Sequence, residues 1–128
     1  MQPNLEQRND RYYITETCYV QMNTHELVHG DQTKKLKGLM WKLLLCLMER
    51  HDSIVSYDEI GNTLWPDGNW SKNSISQQMS RLRHEYFAAV GVDSKALENV
   101  LIIVPKDGII LQRYYTPYAL DHFDNTNQ

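Results

Sequence analysis

Apolar positions recur with two different periods along this chain, and the changes of period divide it into elements. Over residues 39–50, Leu39, Leu43, Leu44, Leu47 and Met48 form a broad stripe at helical spacing, widened by Trp41, Leu45 and Cys46. A helix this apolar predicts near-complete burial. Ser56 followed by Glu59 is a capping-box pattern, so a second helix is expected from Ser56, with Ile60 and Leu64 inward and an end at Trp65-Pro66. A third helix is predicted over residues 72–86, running on to Val90 and ended by Gly91, with Ser71 or Asn73 as its cap. Its inward stripe is Ile75, Met79, Leu82 and Tyr86. Before the helices, residues 12–15, 18–22, 26–29 and 34–36 read as four short strands, rich in β-branched and aromatic residues and separated by polar turns. After them, residues 92–99 read as a polar connector. Residues 100–104 and 109–113 read as a hairpin closed by Pro105-Lys106-Asp107-Gly108.

The third helix carries unusual chemistry on its other faces: Ser74, Gln77, Gln78, Ser80, Arg81 and His84, with Glu85 as its one acid. Amides pair bidentately with adenine edges, and arginines with guanine edges or phosphates. The bland alternative is a solvated polar face, and for an isolated helix the two readings weigh about equally.

Length and composition narrow the context. A chain of 128 residues is expected to form one domain with a real core. The polar start carries no signal-peptide pattern, and the longest apolar runs are too short to span a bilayer. Cys18 and Cys46 form no C-x-x-C pair and read as reduced thiols of a cytoplasmic protein, Cys46 as a core residue. The net charge of −3 argues weakly against nucleic acid, but its distribution argues for it. Residues 32–50 hold five basic side chains against one acid, and residues 71–90 hold three against one. A basic patch on an acidic body still steers a polyanion. His25 and His29 lie four apart but lack a third ligand and a rigid element, so a metal site is not expected. No nucleophile–base pair, carboxylate dyad or Gly-rich phosphate loop is in frame, so no enzyme, catalytic residue or cofactor is expected.

Meander, helix, short capped helix, turn, polar-faced helix and hairpin, in that order, spell an α+β winged helix-turn-helix: an N-terminal four-stranded antiparallel sheet, three helices and a C-terminal β-hairpin wing. The residues resemble the OmpR/PhoB-type DNA-binding domain, and more closely its ToxR/CadC-like branch. The resemblance rests on Trp41-x-Leu43-Leu44-x-x-Leu47, on Val55-Ser56-x-x-Glu59-Ile60 with Leu64-Trp65, on Ile75 followed by Met79-Ser80-Arg81-Leu82-Arg83, and on Val104-Pro105-Lys106-x-Gly108. It covers residues 12–113, between a flexible N-terminus (1–11) and a C-terminal tail (114–128). It implies a transcriptional regulator that binds double-stranded promoter DNA, as a homodimer on tandem half-sites. By position it implies Ser74, Gln77, Gln78 and Arg81 as base readers. Lys72, Asn73, Arg83, His84 and the wing's Lys106 are then the backbone contacts. It implies RNA polymerase as a further partner, met through the loop that holds Asp67, Asn69 and Trp70. For Trp70 the rival reading is an indole folded back on the neighbouring helix; for Arg83 it is a salt bridge to the body.

Three departures from the family pattern qualify these expectations. The wing ends Gly108-Ile109-Ile110 where relatives carry an aromatic and an arginine, and Asp107 adds a negative charge there. Lys37-Gly38 replaces the threonine that usually caps the first helix. The chain shows neither a receiver domain nor a membrane segment, which leaves a stand-alone regulator or a piece of a longer membrane regulator. The acidic balance and the neutral wing motivate the rival function: a winged helix that binds protein, as co-regulator or anti-activator, with little DNA binding of its own.

Overall fold

The computed structural model describes residues 11–112; the expectations of a flexible N-terminus and of a C-terminal tail fall outside the described residues. The first four strands are β1 (Arg11–Tyr13), β2 (Cys18–Gln21), β3 (Glu26–His29) and β4 (Gln32–Lys35), an antiparallel meander in that spatial order. The fourth strand begins two residues earlier than its apolar residues suggest. It is an edge strand exposed along its whole length, so its pairing with β3, not burial, defines it. Two lysines on that edge discourage pairing with another chain.

Helix α1 (Leu39–Glu49) is the core of the domain, with Met40, Trp41, Leu43, Leu44, Leu45, Leu47 and Met48 all buried. Gly38 sits at its N-cap with φ 55° and supplies no side-chain cap, as the departure at this position anticipated. Burial rather than capping therefore holds α1: each of these side chains contributes roughly 1.5–3 kcal/mol by leaving water. Cys18, not Cys46, is the fully buried thiol; its burial pushes its pKa up to about 12, so it stays a thiol.

Strand β5 (Val55–Ser56) leads into α2 (Tyr57–Leu64), and Ser56 accepts the Glu59 backbone N–H at 3.1 Å as the capping pattern predicts. The Glu59 carboxylate pairs with Arg50 at the end of α1 and ties the two helices together. The wing is β6 (Leu101–Val104) and β7 (Gly108–Leu111), and β5 joins β7 to make a three-stranded sheet in the order β5-β7-β6. Two residues carry no periodicity, so β5 was not legible as a strand. The segment read as a connector holds a one-turn helix, α4 (Ser94–Glu98), capped by Asp93. Five residues are too few to show a repeating helical stripe.

The third helix is continuous in three parts: α3 (Lys72–Arg81), a π-helical turn over Leu82–Phe87 and a 3-10 turn over Ala88–Val90, closed by Gly91 at φ 85°. The π turn changes which aromatic is buried. A strict α period puts Tyr86 on the stripe, but Phe87 is buried and Tyr86 only half-buried. The i→i+5 spacing of the π turn brings Leu82 and Phe87 onto one face, which an α-helix would hold well apart.

Candidate nucleic-acid interface

The start of α3 is fixed by a reciprocal capping box. Ser71 Oγ accepts the Ser74 backbone N–H at 3.2 Å, and Ser74 Oγ accepts the Ser71 N–H at 3.2 Å. Ser74 is half-buried and spends its hydroxyl here. Ile75, Met79 and Leu82 point into the core, and Asn73, Gln77, Ser80, Arg81 and His84 are exposed. At 100° per residue Asn73, Gln77, Ser80 and His84 lie opposite the core, with Arg81 beside them. Gln78 lies on the flank, half-buried, and its Oε1 is buried without a hydrogen-bond partner. The outermost stripe is therefore shifted from Ser74 and Gln78 toward Asn73 and His84, because exposure follows the angle from the core rather than residue type.

A cleft of about 120 Å³ separates the helix from the wing, lined by Ser76, Ser80, Arg83 and His84 on one side and by Tyr57 and Ile103 on the other. Sequence reasoning did not single out the last two. Tyr57 donates its hydroxyl to Val104 O at 3.3 Å and carries the Lys72 ammonium 5.0 Å from its ring centroid. It thus sets both the wing and a cation at the helix start. Ile103 is 41% exposed, a large apolar side chain facing a cleft with a basic rim. Arg83 is half-buried and donates to Leu101 O at 3.4 Å, so its body contact is a carbonyl rather than an acid. Lys106 is exposed in the turn between β6 and β7. Arg81 donates from Nε to Glu85 Oε1 at 3.5 Å, one helical turn on.

The loop between α2 and α3 is built around Trp70. Its indole covers Gly61 of α2, and its Nε1–H donates to Asn62 Oδ1 at 3.0 Å. Trp70 is folded back onto α2, which leaves Asp67 and Asn69 as the exposed members of that trio. A Cβ at position 61 would lie 2.2 Å from the indole ring. Gly61→Ala is expected to push the indole off α2 and cost about 1–3 kcal/mol, the usual range for overpacking. A lower thermal midpoint, followed by circular dichroism, is the readout.

The two paired histidines serve structure. His25 stacks on Trp41 with ring centroids 3.7 Å apart. His29 Nδ1 contacts Val90 O at 2.7 Å and its Nε2 contacts Thr17 Oγ1 at 3.0 Å, which clamps the N-terminal sheet onto the end of the third helix. Among the described residues no helix is long and apolar enough to cross a membrane.

Comparison with known proteins agrees with this geometry. Residues 31–99 match the family model described as transcriptional regulatory protein, C terminal. The fold is similar to that of the C-terminal domain of the nisin resistance regulator NsrR, a lantibiotic response regulator: TM-score 0.56 at 21% identity over 76% of this chain and 93% of that one. It is also similar to the DNA-binding domain of E. coli CadC: TM-score 0.63 at 17% identity over 82% of this chain and 94% of that one. No curated protein sequence matches the chain. A polar-faced helix held between a packed core and a hairpin wing, within a family match over more than half the chain, places this protein among the OmpR/PhoB-type DNA-binding domains of transcriptional regulators.

Proposed function

We propose that the domain lays its third helix in the major groove of double-stranded promoter DNA and rests its wing on the adjacent backbone or minor groove. The supporting observation is the exposed stripe of Asn73, Gln77, Ser80, Arg81 and His84 over a wholly apolar back. Gln77 and Arg81 are the principal base readers in this reading, the amide for adenine and the guanidinium for guanine. Ser74 and Gln78 contribute from the flank. Lys72, Asn73, Arg83, His84 and Lys106 serve phosphates, and Ile103 meets deoxyribose in the cleft. Residues 12–113 form the DNA-binding unit, two copies occupy tandem half-sites, and the protein works in the cytoplasm, where its DNA partner is. Asp67 and Asn69 are the residues that the α2–α3 loop offers RNA polymerase, with Trp70 holding the loop in shape.

Titration of a preferred duplex by fluorescence anisotropy tests this. Gln77→Ala and Arg81→Ala should each cost about 1–3 kcal/mol on that duplex and relax selectivity at one position. Lys106→Ala should weaken all duplexes alike and lower the salt slope by about one. Unchanged affinity in both helix variants would sink the reading. The protein-binding alternative, motivated by Asp107 at the wing tip and the net charge of −3, would then take its place.

A further inference from the structure

The only acid on the third helix, Glu85, is bonded to the arginine best placed to read a base. The two side chains are 59% and 45% exposed, respectively, so the pair contributes little to stability. Its position suggests another role. Arginine has five N–H donors, and the carboxylate engages the one on Nε. Both Nη groups remain, and they form the planar fork that matches guanine O6 and N7. A free arginine at the same site would swing equally well to any phosphate. A carboxylate one turn away restrains that swing and also repels phosphate oxygens.

We infer that Glu85 is a specificity-determining positioning residue, which aims the Arg81 fork at a guanine and disfavours its capture by the DNA backbone. The inference rests on the base-reading function proposed above and names how that site discriminates. It also accounts for an acid on a surface otherwise suited to a polyanion: Glu85 lowers affinity for the wrong duplexes, while on the selected duplex the aimed guanine contact more than offsets its charge.

The test measures binding of the full chain to a duplex selected from a random pool and to a scrambled duplex of equal length, at two salt concentrations. Glu85→Ala should bind the scrambled duplex several-fold more tightly. It should lose about ten-fold in the ratio of selected to scrambled affinity, within the range that one good bidentate pair supplies. Glu85→Gln removes the charge but keeps an oxygen acceptor, and should restore most of that ratio while still binding the scrambled duplex more tightly. In an Arg81→Ala background the Glu85→Ala change should leave the ratio where Arg81→Ala put it. Equal gains on both duplexes in Glu85→Ala, with an unaltered selected motif, would overturn the inference and leave the base-reading function standing. A wild-type chain that selects no motif would remove the function, and the inference with it.

Discussion

Gly108→Ala is expected to unfasten the wing and cost about 2–6 kcal/mol. Gly108 begins β7, pairs with Val104 across the hairpin and faces Ser56 of β5 on its other side. Its φ of 156° is one that L residues rarely adopt, and a Cβ there would stand 2.0 Å from the Val55 carbonyl oxygen and 3.0 Å from Ser56 Cα. Those obstacles are backbone, so no side chain can swing aside. Strain of about 1–3 kcal/mol at the unfavourable dihedral adds to about 1–3 kcal/mol of overpacking, and relief requires β5 and β7 to part. Thermal unfolding followed by circular dichroism should show a midpoint lower by about 8–25 °C. Gly68 is the internal contrast. It also has a positive φ, 81°, but nothing lies within 4 Å of its missing Cβ. Gly68→Ala should cost only the dihedral term, about 1–2 kcal/mol. Equal losses in the two variants would refute the claim that close approach of β5 is what requires glycine at 108.

The second large effect concerns the π turn. Phe87→Ala is expected to cost about 3–5 kcal/mol, because its ring is 1% exposed and packs in the main core. Tyr86→Ala should cost about 1–2 kcal/mol. Tyr86 is half-buried: its ring packs against the edge of the core and carries the Lys34 ammonium 5.3 Å from its centroid. A helix of strict α period reverses this order. Chemical denaturation of both variants decides it, and a larger loss at Tyr86 would contradict the π register.

These two predictions also mark where the sequence was and was not legible. The buried helix α1, the cap at Ser56, the stripe Ile75-Met79-Leu82 and the hairpin all follow from periodicity and turn chemistry, which act over a few residues. Their order alone pointed to the winged helix. The π turn was invisible because a helix absorbs one extra residue without any change of composition, and Tyr86 and Phe87 are equally plausible core aromatics. Strand β5 and helix α4 were invisible because two and five residues are too few to express a period, and β5 exists only through its pairing with β7. In the candidate site, residue chemistry singled out the third helix, and the structure adds how exposed each of its side chains is. Ser74 reads as part of the polar face, and the structure shows its hydroxyl oxygen also closing the cap. Trp70 looks like a surface aromatic until Gly61 is seen to leave room for it. Tyr57 and Ile103 acquire a role only through the long-range placement of the wing beside α3, which no local pattern encodes.

The central claim is that this domain reads duplex sequence with the exposed face of its third helix. The most direct test is selection of binding sites from a pool of random duplexes by the purified chain, repeated at two salt concentrations. The account predicts enrichment of a short motif, repeated at one helical turn where two copies bind in tandem, with affinity that falls as salt rises. Failure of any motif to enrich, with no salt-sensitive retention of DNA, would contradict it.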